Sequence, residues 1–263
     1  NNIVSHMKKF LVVLSLFVVS ISCLSQTPHP TRRFSVQLAA GPAIPIGHFA
    51  DNSYSSSRHE MSGNAVVGFS ADALVKYQLK KSFGISLTIG GSINKQDEAH
   101  LRNEIKKSGS DQMRVYVKMD SWKVFKVMSG VFYSIPFSSS SKFELVPMAS
   151  VGICKTKLPG FVYAYDYPNL SGGVGVATMT KVNVPVTFCY SVSLALNYKL
   201  SKRVFLLSDA SYFGASAKSK YGYYPTWPVS PIVNPPLNPV ENPAENHYSL
   251  ASLNLHLGAG VRF

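Results

Sequence analysis

The sequence predicts an all-β fold, an eight-stranded antiparallel up-and-down transmembrane β-barrel with short periplasmic turns and long extracellular loops. Three observations predict it: segments in which apolar and polar residues alternate, connections that alternate in length, and aromatic residues near the short connections. The segment from Leu253 to Phe263 is typical, because its odd positions are apolar and its even positions are polar or glycine. Such a period of two indicates a strand with one apolar and one polar face.

Eight segments of this kind follow one another along the chain. Their predicted ranges are 33–46, 64–79, 83–94, 120–137, 143–155, 184–200, 204–215 and 247–263. A tilted strand needs about 9 to 11 residues to cross a bilayer, whereas strands of soluble proteins usually have about 5 or 6. The length of the segments therefore favours a membrane barrel.

The connections between these segments are alternately short and long. Short polar turns are predicted at 80–82, 138–142 and 201–203, and long loops at 47–63, 95–119, 156–183 and 216–246. Both ends of the series of strands then fall on the side of the short turns, as in outer-membrane barrels of the bacterial type.

Aromatic residues on the apolar face lie near the short-turn ends of the strands. They are Phe34, Tyr77, Phe83, Tyr133, Phe143, Tyr198 and Phe263. A ring of aromatic side chains at one height predicts an interfacial girdle and a location in the bacterial outer membrane. The alternative is a secreted lipocalin-like barrel, which has the same alternation with the apolar face inside.

The N-terminal region predicts export. Met7 is followed by two lysines, an apolar stretch over 10–19 and small residues, which is the pattern of a secretory signal peptide over 7–25. Residues 1–6 are interpreted as upstream or cloning-derived sequence, and 26–263 as the mature barrel.

Cys23 offers an alternative to simple cleavage of the signal peptide. It could accept a lipid, but the sequence VSISC lacks the leucine expected three residues before a lipoprotein cysteine. We favour cleavage after Ser25.

The net charge of +13 does not predict a nucleic-acid partner. The chain has no Lys/Arg-dense helix, zinc-ligand spacing or RNA-binding strand motif. Lysines are instead predicted at the loop roots, at the height of lipopolysaccharide phosphates: Lys155, Lys157, Lys181, Lys218 and Lys220. The predicted partners are therefore outer-membrane lipid and lipopolysaccharide.

Two stretches carry a resemblance to a known family. AAGPAIPIGHFADN at 39–52 and VVGFSADALVKYQLKKSFGISLTIG at 66–90 resemble the outer-membrane protein beta-barrel domain family common in Bacteroidota, and SGVFYSIPFSSSSKFELVPMASVGI at 129–153 extends the similarity. The family's Gly-Pro and Pro-x-Gly-x-Phe-Ala pattern is matched by Gly41, Pro42, Pro45, Gly47, Phe49 and Ala50. His48 stands where that family frequently has Asp. The resemblance implies the barrel fold and carries no shared catalytic residues.

Charged residues on the polar face predict a filled lumen. They are Asp72, Lys76, Lys126, Glu144, Asp209, His256 and Arg262, together with the polar Asn254. Strand positions place Asp209 beside His256 and allow Arg262 to reach Glu144 across the lumen. An eight-stranded barrel is just wide enough for side chains to fill it, so we interpret these residues as mutually satisfied charges. A proton-sensitive or gating network in a narrow channel is the alternative.

Cys154 and Cys189 are predicted to face inward on adjacent strands. A disulfide between them is a hypothesis, because the compartment is oxidising but cross-strand disulfides need strict geometry. No catalytic, cofactor-binding or metal-ligating residue is predicted for the main interpretation.

One motif favours an enzymatic alternative. His247-x-Ser249 resembles the His-x-Ser of lipid A deacylases, and both residues are predicted to face outward near the loop end. No carboxylate follows Ser249, although Glu241 and Glu245 precede it. The lipid A-modifying enzyme is therefore the second choice.

Two long loops have distinct compositions. Residues 95–119 mix charges of both signs, and Glu98 lies four residues before Arg102, which predicts a short solvated helical turn. Residues 216–246 are so rich in proline that neither helix nor paired strand is expected, and Tyr223, Tyr224 and Trp227 could anchor an envelope protein. An inert spacer is the alternative for this loop.

The predicted function is that of a non-enzymatic barrel with a structural or loop-mediated binding role, or a subunit of an envelope complex. Phe263 at the end of the last strand is expected to act as an insertion signal for the barrel-insertion machinery during biogenesis.

Overall fold

The computed structural model describes residues 33–52, 62–80, 82–108, 114–137, 142–166, 174–179, 182–221 and 241–263. The predicted signal peptide, Cys23 and the aromatic residues Tyr223, Tyr224 and Trp227 lie outside these ranges. No helix within them is both long and apolar enough to cross a membrane.

Eight long antiparallel strands form a closed barrel. They are β1 (Phe34–Pro45), β2 (Gly68–Gln78), β3 (Phe83–Asn94), β4 (Trp122–Tyr133), β5 (Phe143–Leu158), β6 (Thr187–Lys199), β7 (Val204–Tyr221) and β8 (Glu241–Arg262). Each strand pairs with the next, and β8 returns to β1 with Arg262 opposite Ser35. Closure removes the unpaired sheet edges. The predicted fold class is confirmed.

The apolar face of the strands points outward. Leu257 and Phe188, for example, are 72% and 62% exposed, and apolar residues cover the outside of every barrel strand. The buried inner face carries Lys76, Asn254 and His256 instead. A continuous apolar outer surface belongs in lipid, so the barrel spans a membrane and the lipocalin-like alternative is wrong.

The aromatic girdle lies at the short-turn end. The rings of Phe143 and Tyr198 are 4.9 Å apart between centroids, and those of Phe34 and Phe263 are 6.2 Å apart. The backbone N–H of Phe263 donates to the Phe34 carbonyl at 2.8 Å, which fixes the last residue beside the first strand.

Three barrel strands extend beyond the predicted boundaries, since β5 continues to Leu158 and both β7 and β8 are longer than expected. β7 and β8 stay paired as far as Tyr221 and Glu241, with a register shift after Ser219. The prediction that 216–246 would contain no paired strand is therefore wrong at both ends of that segment. Pro243 lies at the register shift, where its missing N–H does not interrupt the ladder.

The extracellular connections contain their own secondary structure. A 3-10 helix spans Gly47–Phe49 and the helix α1 spans Glu98–Ser108. Three short strands, Arg114–Met119, Phe161–Asp166 and Val174–Met179, form a separate antiparallel sheet, here called the loop sheet. The two-residue strand Val182–Asn183 pairs with the extracellular end of β5. A further two-residue strand, Ile135–Pro136, belongs to the periplasmic turn and pairs with the opposite end of β5.

Helix α1 differs from the predicted short solvated turn. It has eleven residues, and Leu101 is buried. The charges around Glu98 and Arg102 predicted only the start of the helix, whereas its length comes from packing against the first strand of the loop sheet.

Candidate functional site: the closed lumen

All seven charged or titratable residues predicted for the lumen face inward. Three are cationic and three are anionic, and His256 is the seventh: Lys76, Lys126, Arg262, Asp72, Glu144, Asp209 and His256. We call this set the polar layer. Equal numbers of opposite charges suit a closed interior, where an unpaired charge is costly.

The lowest part of the polar layer is an ion pair across the lumen. The guanidinium of Arg262 on β8 donates to the carboxylate of Glu144 on β5, which also accepts a hydrogen bond from Ser134. The same guanidinium lies 4.9 Å from the ring centroid of Phe205. The structure thus brings together the two residues that sequence position placed at one height.

The middle of the polar layer is a network around His256. Lys126 Nζ donates to Asp72 Oδ2 at 2.9 Å. His256 Nδ1 lies 3.6 Å from Asp209 Oδ2 and 3.9 Å from Asp72 Oδ2, and Asp209 and His256 are direct cross-strand partners. His256 Nε2 is 2.6 Å from the hydroxyl of Ser70, a residue that the sequence-based prediction missed. Ser70 lies on the same face as Asp72, but alternation alone does not distinguish it from the other small polar residues there.

Ser70, His256 and Asp209 are arranged in the order of a nucleophilic relay, in which a base activates a hydroxyl and a carboxylate orients the base. The surroundings argue against such chemistry. Ser70 is only 1% exposed and His256 only 2%. The adjoining cavity measures about 40 Å³, which leaves no room for an acyl substrate. The arrangement therefore satisfies buried polar groups.

This cavity lies within the polar layer. Ser150 and Ser193 line it with hydroxyls that lack a protein hydrogen-bond partner, and Asp72 contributes a carboxylate oxygen in the same condition. A volume of about 40 Å³ is enough for a small number of water molecules, which can bridge such groups. It is far too small to be an aqueous channel.

Aromatic and apolar residues close the extracellular part of the lumen. They form a buried cluster, here called the plug: Phe49, Ala65, Trp122, Val124, Met128, Cys154, Leu158, Val184, Cys189, Phe213, Ala217, Tyr248 and Leu250. Trp122 is the largest fully buried side chain among the described residues, and its Nε1 donates to the Gly63 carbonyl at 2.7 Å. Its ring meets Phe49 and Tyr248 edge-on, each at 5.5 Å between centroids.

The family-like motif at the end of β1 supplies Phe49 to the plug. Gly47 has a φ of +59°, which favours glycine, and it starts the 3-10 helix that turns Phe49 inward. The Phe49 carbonyl then accepts a hydrogen bond from Ala65 at 3.0 Å. The motif thus closes the mouth of the barrel.

Cys154 and Cys189 lie side by side in the plug. Cys154 pairs with Thr187 and Cys189 with Gly152, so the two cysteines are diagonal neighbours on β5 and β6, both facing inward. Both are buried free thiols in this structure. The disulfide stays a prediction.

His247 and Ser249 occupy outward positions near the extracellular end of β8. They are cross-strand partners of Lys218 and Ser216. The structure therefore places both at the outer rim of the barrel wall, separated from the polar layer by the plug.

An apolar outer wall and a charged, closed interior decide the class of protein. The chain is an eight-stranded outer-membrane β-barrel. Within it, sequence position predicted the inward-facing charges, whereas the plug brings together strand ends and loop residues that no periodic pattern connects.

No family model and no curated protein matches the chain. Among solved structures, Neisserial surface protein A has 14% identity and a TM-score of 0.42, with 88% of this chain and 97% of that chain covered. Ail of Yersinia pestis has 10% identity and a TM-score of 0.38, over 88% and 98% of the two chains. OprG of Pseudomonas aeruginosa has 10% identity and a TM-score of 0.42, over 88% and 95%. These values carry no inference about function.

Proposed function

We propose that the protein is a non-conducting, non-enzymatic outer-membrane barrel that acts through its extracellular surface, as a binding protein or as a subunit of an envelope complex. The observation that carries this proposal is the double closure of the lumen. The polar layer fills its lower and middle parts, and the plug fills its upper part. The folded elements beyond the extracellular ends of the barrel strands are then the surface through which the protein can act.

The extracellular elements favour a binding surface with a defined shape. The Glu98 carboxylate at the start of α1 accepts the backbone N–H of Met119 at 2.8 Å, which ties the helix to the loop sheet. Lys107 donates to Glu104 at 2.7 Å on the exposed side of α1, and this hydrogen bond lowers the pKa of the Glu104 carboxyl. Tyr116 on the loop sheet is 56% exposed and offers an aromatic contact to a partner.

Conductance separates this proposal from the narrow channel. We expect no steady current from the purified protein in planar bilayers, and none from Phe143→Ala, an outward-facing control. A steady conductance that Arg262→Ala abolishes or enlarges would establish a channel and overturn the proposal.

Site-specific photo-cross-linking in whole cells tests the binding role. A photoreactive amino acid at Tyr116 is expected to give a discrete cross-linked species, whereas the same amino acid at Ser201 in a periplasmic turn is not. Absence of any species from Tyr116 and from other exposed positions of the loop sheet would instead favour a purely structural barrel.

The enzymatic alternative predicts altered lipid A. Deletion or overexpression of the protein should leave the lipid A mass spectrum unchanged. A mass change that requires both His247 and Ser249 would favour the enzyme.

Membership of the Bacteroidota-type family is also part of the proposal. It is supported by the placement of the family-like motif, since Gly47 and Phe49 help to close the barrel.

A role for Phe263 in insertion is proposed as well. Its deletion is expected to reduce the amount in the outer membrane without reducing secretion across the inner membrane, and unchanged amounts there would limit Phe263 to the girdle.

A further inference from the structure

Four lysines form a patch on the outer wall, at the extracellular edge of its apolar surface. They occupy the outward-facing positions at the extracellular ends of β3, β4 and β5: Lys95, Lys123, Lys155 and Lys157. Their places in the strands follow from alternation, since each continues an outward row that passes through Ile93, Phe125 or Ile153. We call these four residues the lysine patch.

The register of β4 and β5 places like charges together. Lys123 and Lys157 are direct cross-strand partners, and Lys155 is the partner of Phe125, two residues along each strand. Like charges directly opposite each other in an antiparallel pair are destabilising. Among the described residues, none of the four forms an ion pair with a carboxylate. An anion from outside the protein would remove this repulsion.

Among the side chains that the structure describes, the patch is confined to one sector of the barrel. At the corresponding height, the outward residues are Ile46 at the end of β1, Val67 before β2 and Val186 before β6, all of them apolar. Lys218 on β7 already has an interaction partner. The concentration of charge on three adjacent strands indicates a local site in addition to any general attraction to the membrane surface.

The apolar residues below the patch fix its height relative to the lipid. Ile93, Phe125 and Ile153 are all exposed on the outer wall and belong in the acyl-chain region. Along its own strand each lysine lies two or four residues closer to the extracellular end than these apolar residues. The flexible lysine stems can extend along the wall and bring the ammonium groups to the headgroups of the outer leaflet.

We propose that the lysine patch is a docking site for the phosphate groups of lipid A in the outer leaflet. Ammonium groups bind phosphates as compact point charges, and four of them can offset two neighbouring phosphates. The acyl chains of the same lipid would lie on the wall formed by Ile93, Phe125 and Ile153. The sequence predicts Lys155 and Lys157 at this height, and the structure places Lys95 and Lys123 beside them. The proposal thus replaces a general attraction to the membrane surface with a defined site on β3 to β5.

Native mass spectrometry of the detergent-solubilised protein with added bisphosphorylated lipid A tests the site. The variant K95Q/K123Q/K155Q/K157Q removes the patch. The matched control K80Q/K142Q/K202Q/R203Q removes the same number of positive charges from exposed periplasmic turns. Circular dichroism and heat-dependent gel mobility confirm that each variant is a folded barrel.

The wild type and the control variant are expected to retain lipid A to the same extent. The patch variant should bind it at least about tenfold more weakly, because each lysine that is removed takes away an attraction to the anionic headgroup. Lipid A without its phosphates should bind the wild type as weakly as intact lipid A binds the patch variant.

Three outcomes would overturn the proposal. Equal retention of lipid A by the wild type and the patch variant would show that the lysines do not bind it. Equal binding of dephosphorylated lipid A would show that phosphate is not recognised. Displacement of lipid A by an equal concentration of phosphatidylglycerol or inorganic phosphate would show that any phosphate suffices.

Discussion

The lower and upper parts of the lumen are filled by different means. The polar layer contains three cations, three anions and His256, and ion pairs link Lys126 to Asp72 and Arg262 to Glu144. The plug consists mainly of aromatic and aliphatic side chains, with Trp122 at its centre. Both close the barrel, but a charged filling depends on each partner, whereas an apolar filling depends on shape.

This difference shows which kind of side chain can fill each part of the lumen. Inward-facing residues in the membrane-spanning part come only from strands, and charges there can be paired across a narrow interior. At the extracellular end, loop segments can fold over the opening, as the segment with Phe49 does. Replacement of a buried ion pair by apolar residues is often neutral, but removal of one partner is not. The two fillings should therefore respond differently to single and paired substitutions.

The largest effect is expected at the centre of the plug. Trp122→Ala should reduce the free energy of unfolding by about 4 kcal/mol, because it leaves a cavity and an unpartnered Gly63 carbonyl. Urea titration of the protein folded in lipid vesicles measures the change. Trp122→Phe, which keeps most of the ring contacts, should cost clearly less.

The Trp122→Ala variant should remain non-conducting, because the polar layer still fills the lumen below the plug. A current from this variant would show that the plug alone closes the barrel.

The second effect concerns the pair in the polar layer. Lys126→Met should destabilise the barrel by about 3 kcal/mol, since Asp72 would keep a buried charge with only His256 nearby. The double variant K126M/D72L should recover most of this loss in the same urea titration. If the double variant is no more stable than the single variant, Lys126 and Asp72 contribute more to stability than the neutralisation of each other's charge. The proposed difference between the charged filling and the apolar plug would then be wrong.

The success of sequence-based prediction also differs between the two regions. Alternation identifies the inward face, and distance from a turn gives height, so Asp209 beside His256 and Arg262 beside Glu144 could be predicted. The same reasoning does not select Ser70 from the many small polar residues on that face. Its hydrogen bond to His256 depends on the stagger of strands β2 and β8, which are separated by β1.

The plug was not predicted because alternation places residues on the inner face of each strand but does not show which of them meet across the lumen. Trp122 opens β4, Tyr248 lies in β8 and Phe49 belongs to a 3-10 helix in a connection. Their meeting requires the closed barrel to bring distant strand ends together. The loop sheet was missed for a similar reason, since it pairs segments of two different connections. The length of α1 depends on packing against Arg114–Met119 in its own connection.

A smaller effect is expected for Ser70. Ser70→Ala removes the hydroxyl 2.6 Å from His256 Nε2 and should cost about 1 to 2 kcal/mol, because a buried ring nitrogen loses its partner. Urea titration measures this loss. A fluorophosphonate probe should not label Ser70 in the folded wild type, and mass-spectrometric detection of such an adduct would show that the relay is accessible and chemically competent.

The smallest effect is expected for the two cysteines, and it distinguishes a plug held by packing from one held by a covalent link. Cys154→Ala should lower the free energy of unfolding by about 1 kcal/mol, as expected for a small buried apolar side chain. Thiol titration in denaturant should give equal counts before and after reduction if the thiols are free as in the structure. Two additional thiols after reduction would establish the disulfide hypothesised from the sequence. The plug would then owe part of its stability to a covalent bond between β5 and β6, and Cys154→Ala should cost more than about 2 kcal/mol because the cross-link is lost.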